Sequence, residues 1–179
     1  MWKKTKSKIL LRHSRLKVLE DDVVLPDGTS TKYLKFAKTH DSVTVICQRE
    51  DQKFLLLSEY SYPPNKWLLE FPGGSIKLKE KPKFAANREL MEEGKYYAKK
   101  LKFIGKYYIN NRRSSAQMYV YHARELEYKS LPKDHEEAFK YKWYKTNQID
   151  EMIRENQITN CHILASWSLF KNKLQNPSN

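Results

Sequence analysis

The stretch from residue 70 to 96 constrains this chain more than any other, because it combines strand-like, turn-like and helical segments with a cluster of acidic side chains. Pro82 suits the first position of a helix and Gly94 suits the position just past its end, so the sequence predicts one helix between them. Within that helix Glu89 and Glu93 are four residues apart, which places both carboxylates on the same face. We expect this helix to carry the chemistry of the protein.

The other positions of the helix divide between its two sides. Arg88 precedes Glu92 by four residues and can hold it through an ion pair. Ala85 and Ala86 fall on the acidic side, where their small side chains leave room beside the carboxylates. The predicted buried face is the opposite arc, which contains Phe84, Leu90 and Met91.

Like charges at this spacing repel each other, so the acidic cluster needs a physical reason. Divalent cations take oxygen ligands, and their charge relieves the repulsion. A solvated acidic face is the alternative interpretation of the helix taken alone. The preceding segments favour a metal site, because a strand-like run at 68–71 leads into a glycine-rich turn at 72–74 and a loop with Glu80. Such a turn lets a ligand approach the backbone closely.

Seven residues of this stretch have the identities and spacings of the Nudix box, and the stretch resembles that motif closely. They are Gly74, Glu80, Arg88, Glu89, Leu90, Glu92 and Glu93. The end of the motif differs: Gly94 comes one position early, Lys95 stands where the family has its glycine, and Tyr96 replaces the final aliphatic residue. Because Gly94 can still end the helix, we expect the metal site to be retained and the following turn to differ.

The resemblance covers nearly the whole chain after residue 8 and is greatest to the ADP-ribose pyrophosphatase, or nucleoside diphosphate sugar hydrolase, branch of the Nudix superfamily. The segments that carry it are residues 25–28, 59–63 and 68–74. It implies an α+β fold: a Nudix α/β/α sandwich with a mixed central sheet, preceded by a small antiparallel N-terminal sheet. The domains we predict are a basic tail at 1–8, an N-terminal β-sheet subdomain at 9–38 that forms a homodimer, and the Nudix hydrolase domain at 39–175.

The same resemblance implies roles for the residues of the box. The implied metal ligands are Glu89, Glu93 and the backbone carbonyl of Gly73, with Glu92 as a further ligand or an orienting group. The implied cofactor is Mg²⁺, with Mn²⁺ as the alternative. Arg88 would fix the carboxylates in place, whereas Gly74 and Glu80 would have structural roles in the loop and the turn.

The catalytic base that the resemblance implies lies on a later loop. Counting back from Trp143 places Glu137 in this role, with Glu136 as its close rival. Beside a bound metal, a carboxylate can orient and deprotonate a water molecule. His135 is expected to be an ordinary loop residue, because cations of this class prefer oxygen ligands.

Four residues are candidates for contacts with the substrate. Relatives commonly have arginine where Ser61 stands, and serine lacks the charged fork that grips phosphates, which argues against ADP-ribose itself. Arg15 lies near the position of a base-stacking residue in relatives, with an exposed strand arginine as the alternative. Arg112 and Arg113 lie on a polar loop that borders the substrate in relatives. Neighbouring side chains of an extended segment diverge, so at most one of the two is expected to point inward.

The rest of the chain reads as strands and two late helices. Residues 9–36 predict short strands, with a hairpin across residues 25–28. Residues 43–48 and 54–60 are expected to pair with each other. The late helices are predicted to begin near residues 146 and 159, and the buried stripe of the second consists of Ile163, Leu164, Trp167 and Phe170.

The composition narrows the classes of partner. A formal charge of +13 on 179 residues favours anionic partners, among them phosphorylated nucleotides. The lysines are scattered and no RNA-binding signature is present, so nucleic acid is possible as a partner but not favoured. No apolar run is long enough to span a membrane, and no signal peptide is recognised. Cys47 and Cys161 predict no disulfide framework and fit the cytoplasm.

These patterns predict a metal-dependent pyrophosphohydrolase. It would cleave the diphosphate of a nucleoside diphosphate linked to a sugar, in the manner of ADP-ribose, to a nucleoside monophosphate and a sugar phosphate. One alternative is a Nudix hydrolase that acts on nucleoside triphosphates, dinucleoside polyphosphates or RNA 5′ ends. A non-enzymatic alternative is a basic module that binds nucleotides or RNA on a Nudix scaffold.

Overall fold

The computed structural model describes residues 1–38, 40–132 and 140–175, and these segments contain ten strands and three helices. The strands are β1 (Lys3–Arg12), β2 (Lys17–Val24), β3 (Ser30–Phe36), β4 (Ser42–Cys47), β5 (Phe54–Ser61), β6 (Lys66–Glu70), β7 (Gly73–Ser75), β8 (Tyr96–Tyr108), β9 (Gln117–Tyr128) and β10 (Lys140–Tyr144). The helices are α1 (Pro82–Glu93), α2 (Thr146–Arg154) and α3 (Cys161–Gln175).

Strands β1, β2 and β3 form the small antiparallel N-terminal sheet that the sequence predicts. The hairpin between β2 and β3 turns at residues 25–28, where Gly28 has a φ of 86° that favours glycine. The predicted basic tail at 1–8 differs from the structure, because β1 already begins at Lys3. Its backbone pairs with β2 from Lys3 opposite Val24 onward, which orders the segment, although its side chains stay exposed.

Strand β4 is central to a four-stranded mixed sheet with the order β7-β4-β9-β8. It runs parallel to β9 and antiparallel to β7. The expected pairing of residues 43–48 with 54–60 is wrong: β5 belongs to a separate sheet with the order β10-β5-β6. Only the bridge between Gln48 and Phe54 joins the two segments. Five consecutive residues of β4, from Val43 to Cys47, are buried, so both faces of this strand are covered, as expected for a strand flanked by two neighbours.

Alternate residues of β4 serve two apolar clusters on opposite faces of the sheet. Val43 and Val45 belong to a cluster with α1, and Ile46 belongs to a cluster with α2 and α3. The helices thus cover both faces of the mixed sheet, which confirms the predicted α/β/α arrangement. In α3 the predicted stripe is buried except for Leu164, whose side chain is exposed; Ile163, Trp167 and Phe170 pack in the second cluster.

Helix α1 begins and ends where the sequence predicts, with Pro82 in its first turn and Gly94 as its C-cap. Its buried face is only partly as predicted. Leu90 is fully buried, but Phe84 is 65% exposed, and Ala85 and Ala86 occupy the core instead. The small side chains bring the helix close to β4 and β7, with which it packs. The acidic side of the helix therefore borders the core rather than lying opposite to it.

The chain divides into two compact units. One comprises Met1–Thr39 with Tyr108–Gln117, and the other comprises His40–Tyr107 with Met118–Asn179. We refer to them as the N-terminal unit and the box unit. In the described segments, none of the helices has the length and apolar character needed to cross a membrane. Cys47 is buried and Cys161 is exposed, and both thiols are free.

Candidate active site

Arg88 organises the acidic residues of α1 and of the loop before it. Its Nε and Nη2 atoms donate to the two carboxylate oxygens of Glu80, at 2.9 and 3.0 Å. Its Nη1 atom donates to Glu89 at 2.7 Å and to Glu92 at 2.8 Å. The second bond of Nη2 goes to the carbonyl of Ser75 at 2.9 Å. All five N–H donors of the guanidinium are used, so three carboxylates are fixed by one side chain.

This arrangement shifts the ionisation of both partners of the fork. Hydrogen bonds from Arg88 lower the pKa of Glu80, and the backbone N–H of Lys77 acts in the same direction. In turn, the hydrogen bond to Glu80, followed by those to Glu89 and Glu92, raises the pKa of Arg88. The ion pair between Arg88 and Glu80 is therefore complete at neutral pH. The expected ion pair between Arg88 and Glu92 is present, and it is one part of a larger network.

Two glycines let the backbone of β7 approach the buried glutamates closely. The N–H of Gly73 donates to Glu93 at 2.8 Å. A Cβ atom at Gly74 would lie 2.6 Å from Oε1 of Glu89 and within 2.8 Å of the other two atoms of that carboxylate. Only a residue without a side chain fits there. Glu89 and Glu93 are only 8% and 9% exposed, so both carboxylates are held inside the site.

The acidic cluster opens into a cavity of about 360 Å³. Its lining consists of Gly73, Gly74, Ser75, Lys77, Arg88, Glu89, Glu92, Glu93 and Pro132. Every residue of the box to which the sequence assigns a metal-binding role thus faces one cavity. Lys77 and Pro132 were not predicted as site residues. Lys77 comes two residues after the end of β7, and this closeness to the glycine turn is the signal that could have identified it.

The donor set of the cavity suits a hard divalent cation. Glu89, Glu92 and Glu93 supply carboxylate oxygens, and Arg88 balances only part of their charge, so the site has surplus negative charge. Among residues 1–38, 40–132 and 140–175, no three acidic, histidine or cysteine side chains form a complete metal-binding group. Backbone oxygens, water and substrate would have to supply the remaining ligands, as is usual for Mg²⁺.

A second pair of carboxylates, which sequence reasoning did not identify as a site, lies beside this cavity. Glu70 lines a smaller cavity of about 180 Å³ that shares Gly73, Gly74 and Ser75 with the larger one. Burial is the main cause that raises the pKa of Glu70 to about 7, and the nearby charge of Glu59 acts in the same direction. A hydrogen bond from Asn160 has the opposite, smaller effect on this pKa. Burial likewise raises the pKa of Glu59. The register of β5 and β6 brings these two side chains together, which the separation in sequence conceals.

The predicted substrate contacts lie in different places. Ser61 ends β5 in the box unit, opposite Lys66 of β6. Arg15 lines a cavity of about 280 Å³ within the N-terminal unit. Arg112 and Arg113 line another cavity of about 460 Å³ in that unit. The Arg113 guanidinium donates to the carbonyl of Leu34 at 3.0 Å, while the main chain of Arg112 accepts a bond from Tyr33. Both arginines line this cavity, so the expectation that at most one of them points toward the substrate stays a prediction.

The candidate bases Glu136 and Glu137, together with His135, lie outside the described residues. The two ends of that loop are described. Leu131 donates its backbone N–H to the carbonyl of Met91 in α1 at 3.2 Å, and Pro132 lines the acidic cavity. The assignment of the base therefore stays a prediction.

Comparison with known proteins agrees with this geometry. The NUDIX domain model matches residues 38–162. The ADP-ribose pyrophosphatase of Bacillus subtilis (strain 168) is 31% identical over 106 residues, which are 59% of this chain and 57% of that protein. The chain thus spans little more than half the length of that relative. The ADP compounds hydrolase NudE of Escherichia coli (strain K12) is 29% identical over 139 residues, or 76% of this chain and 75% of that protein.

A solved structure gives the same result for the fold. The crystal structure of an ADP compounds hydrolase superposes with a TM-score of 0.91, covering 99% of this chain and 96% of the other, at 21% sequence identity. That likeness concerns the fold, and it includes the small antiparallel N-terminal sheet and the mixed central sheet. Since the family model covers more than half of the sequence and its acidic residues converge on one cavity, this chain belongs to the NUDIX family.

Proposed function

We propose that this protein is a metal-dependent pyrophosphohydrolase that cleaves the diphosphate of a nucleoside diphosphate linked to a sugar. The observation that carries this proposal is the set of carboxylates that Arg88 holds, two of which, Glu89 and Glu92, line one cavity with Glu93. Family membership and the likeness to two relatives, an ADP-ribose pyrophosphatase and an ADP compounds hydrolase, support the same reaction and the same class of substrate. The products would be a nucleoside monophosphate and a sugar phosphate.

In this proposal Glu89 and Glu93 hold the metal together with the backbone carbonyl of Gly73, and Glu92 is a further ligand or an orienting group. When bound, Mg²⁺ or Mn²⁺ supplies positive charge that offsets the diphosphate and makes a water molecule more acidic. Arg88 keeps the carboxylates in position without contacting the substrate. Gly74 and Glu80 maintain the close approach of the loop to the helix.

The reaction itself is a hydrolysis at phosphorus. The water oxygen bonds to one phosphorus atom while the bond from that phosphorus to the bridging oxygen breaks. The bridging oxygen leaves with the other phosphate group. Glu137, or Glu136 in its place, would take the proton of the water, a role that a carboxylate can perform in such a reaction. Both carboxylates are within the stretch 133–139, outside the described residues.

The proposal is tested by measuring product release from a panel of substrates with Mg²⁺ and with Mn²⁺. The panel contains nucleotide sugars including ADP-ribose, dinucleoside polyphosphates, nucleoside triphosphates and capped RNA, with products separated by chromatography. We expect nucleotide sugars to give the highest kcat/KM. A preference for triphosphates or capped RNA would favour the other Nudix activities, and unchanged substrate throughout would favour the non-enzymatic binding module.

Site variants connect that activity to the cavity. Glu89→Gln and Glu93→Gln should each lower kcat by about 10²–10³-fold while the thermal unfolding curve stays cooperative. Glu125→Gln, an exposed glutamate on β9, is the matched control and should keep full activity. Full activity in both cavity variants would contradict the assignment of the site.

Ser61 bears on the choice among nucleotide sugars. A serine at this position cannot grip a phosphate with a charged fork as arginine does. We infer that Ser61, Arg15, Arg112 and Arg113 contribute to the choice of substrate rather than to the chemistry. Ser61→Arg should change KM for ADP-ribose more than kcat, whereas an unchanged KM would remove Ser61 from the set of substrate contacts.

We also propose that the protein is a homodimer through its N-terminal sheet. Strand register places Leu11, Val18 and Phe36 side by side on one face of that sheet. Leu11 is 48% exposed and Phe36 is 37% exposed, so the row offers apolar area to a second copy. Light scattering should give twice the mass of the chain, and Leu11→Lys with Phe36→Lys should give the monomer. A monomeric parent protein would contradict this proposal.

A cytoplasmic location completes the proposal. The free thiols of Cys47 and Cys161 suit a reducing compartment, and the exposed Cys161 would be prone to oxidation elsewhere.

A further inference from the structure

A second cavity of the box unit has the opposite charge to the acidic one. This basic groove is lined by Lys83, Lys99, Lys100, Leu101, Lys102, His122 and Arg124 and has a volume of about 510 Å³. Its residues come from α1, β8 and β9, and it shares no lining residue with the acidic cavity. Five of the seven side chains are cations, gathered from parts of the sequence that are far apart.

The charge of the groove is only partly balanced. Lys99 pairs with Glu127 at 3.5 Å, and Lys100 pairs with Glu125. Within the described part of the chain, Lys83, Lys102 and Arg124 form no ion pair. Like charges on a concave surface repel one another and attract anions. The groove therefore has an excess of positive charge that an anionic ligand would relieve.

The floor of the groove is a histidine that adds no charge of its own. His122 is 8% exposed, and its Nε2 atom lies 2.8 Å from the side-chain oxygen of Gln48. Burial, followed by the positive charges of Arg124 and Lys102, lowers the pKa of His122 to about 4. The imidazole is therefore neutral at physiological pH, and its ionisation reports on the positive potential of the groove.

The surroundings of the groove favour a strand of nucleic acid over a small free anion. Strand β8 is an edge strand of the mixed sheet, so a bound chain can continue past the groove. Phe103 follows Lys102 directly in β8 and contacts Tyr119 and Tyr121, so its ring lies on the opposite face of the strand and is not part of the groove. At the other end of the run, Lys129 lies over the ring of Tyr97, with its Nζ atom 5.5 Å from the ring centroid. Proteins that bind single strands combine such a basic groove with aromatic rings on which bases stack.

We propose that the basic groove binds the phosphate backbone of a single-stranded nucleic acid. Lys102, Arg124 and Lys83 contact phosphates, and Tyr97 offers a stacking surface to a base at the end of the run. The +13 charge of the chain assists the encounter, but the contacts are local. The binding needs no metal, so it stands or falls separately from the proposed hydrolysis.

The test is the affinity of the full chain for a fluorescent RNA of about 12 nucleotides without a 5′ phosphate, measured by anisotropy in a metal-free buffer. The double variant Lys102→Ala/Arg124→Ala removes two groove cations. The matched control Lys6→Ala/Lys8→Ala removes the same charge from the exposed strand β1. We expect the affinity of the groove variant to be about ten-fold lower. The slope of log K against log salt should become less steep by about 1.4, since each of the two lost phosphate contacts contributes about 0.7. The control should change affinity less than about two-fold.

Two further measurements make the result decisive. In the parent protein, bound RNA should raise the pKa of His122 in NMR titrations, because phosphates offset Lys102 and Arg124. If the double variant unfolds, Lys102→Gln at its exposed position repeats the comparison. Equal losses of RNA affinity in the groove variant and the control would show that the RNA is attracted by the overall charge of the protein, and this would overturn the proposal. Displacement of the RNA by pyrophosphate at equal phosphate concentration would also overturn it, in favour of a small-anion site.

Discussion

Gly74 and Glu89 touch across the boundary between β7 and α1, and the contact leaves no room for a side chain on Gly74. A Cβ atom there would lie 2.6–2.8 Å from the three atoms of the Glu89 carboxylate. That carboxylate cannot easily move away, because Arg88 holds it at 2.7 Å.

Gly74→Ala should therefore displace Glu89 and lower kcat by about 10–100-fold, with a loss of about 1–3 kcal/mol in the free energy of unfolding. Enzyme kinetics and chemical denaturation measure the two effects. Gly105→Ala is the matched control, because a Cβ atom there meets only the Leu169 side chain at 3.5 and 3.8 Å. Equal behaviour of the two alanine variants would show that the contact at Gly74 does not constrain the site.

Arg88→Lys tests the network that one guanidinium maintains. Lysine keeps the charge but has three donors instead of five and no planar fork, so it cannot hold Glu80, Glu89 and Glu92 together. We expect a loss of about 2–4 kcal/mol in the free energy of unfolding, since the side chain of Arg88 is only 16% exposed and leaves buried carboxylates without partners.

The comparison for that prediction is Arg49→Lys. Arg49 also makes a two-pronged contact, with Asp51, but its side chain is 42% exposed. Because exposed ion pairs contribute little, this variant should lose less than about 1 kcal/mol. Similar losses at the two positions in urea denaturation would contradict the role of Arg88.

Lys95 has the left-handed backbone conformation that ends the box, with a φ of 63°. Gly94, one residue earlier, has an ordinary φ of −89° and needs no such freedom. A Cβ atom costs about 1–2 kcal/mol in the left-handed region, and glycine avoids this cost. Lys95→Gly should thus be more stable than Lys95→Ala by about 1 kcal/mol. The alanine variant serves as the reference because both substitutions remove the contact of the lysine with the Tyr141 ring. If Lys95→Ala were more stable than Lys95→Gly in thermal denaturation, this prediction would be contradicted.

Glu70 should make stability depend on pH near neutrality. Its pKa is about 7 in the folded chain against an ordinary value of 4.5, so between these values the folded state binds the extra proton. Stability therefore falls as the pH rises from about 4.5 to 7 and is constant with respect to this group above that range.

Glu70→Gln removes the buried charge and should be more stable than the parent above pH 7, by on the order of 1–2 kcal/mol after allowance for solvent screening. The difference should shrink toward pH 4.5. Denaturation curves over that pH range, without metal, measure it. Glu50→Gln is the control at an exposed position and should show no such trend. A constant difference between Glu70→Gln and the parent at every pH would contradict the ionisation of Glu70 as its cause.

The part of the site that lies on α1 could be predicted because helix geometry fixes which side chains share a face. Spacing alone places Glu89, Glu93 and Arg88 correctly, and Pro82 and Gly94 mark the ends of the helix. The failure at Phe84 has a physical cause: small alanines pack against the sheet and leave the larger ring outside. Helical periodicity alone does not show which face of a helix packs against a sheet.

Features that depend on strand order could not be predicted locally. Strand β4 pairs with β9, more than seventy residues away in sequence, and with β7, rather than with the neighbouring β5. The carboxylate pair of Glu59 and Glu70 and the five cations of the basic groove arise from the same long-range assembly. In each case the residues are visible in the sequence, but their proximity is created by the sheets.

Strand β4 contributes to both apolar clusters, Val43 and Val45 to one and Ile46 to the other. Neither side of the sheet can therefore melt while the other keeps its packing. The box unit should unfold as a single cooperative step, and the amides of α1 and α3 should lose their protection from hydrogen exchange together. The helix that carries the acidic residues thereby derives its rigidity from side chains on the far side of the sheet.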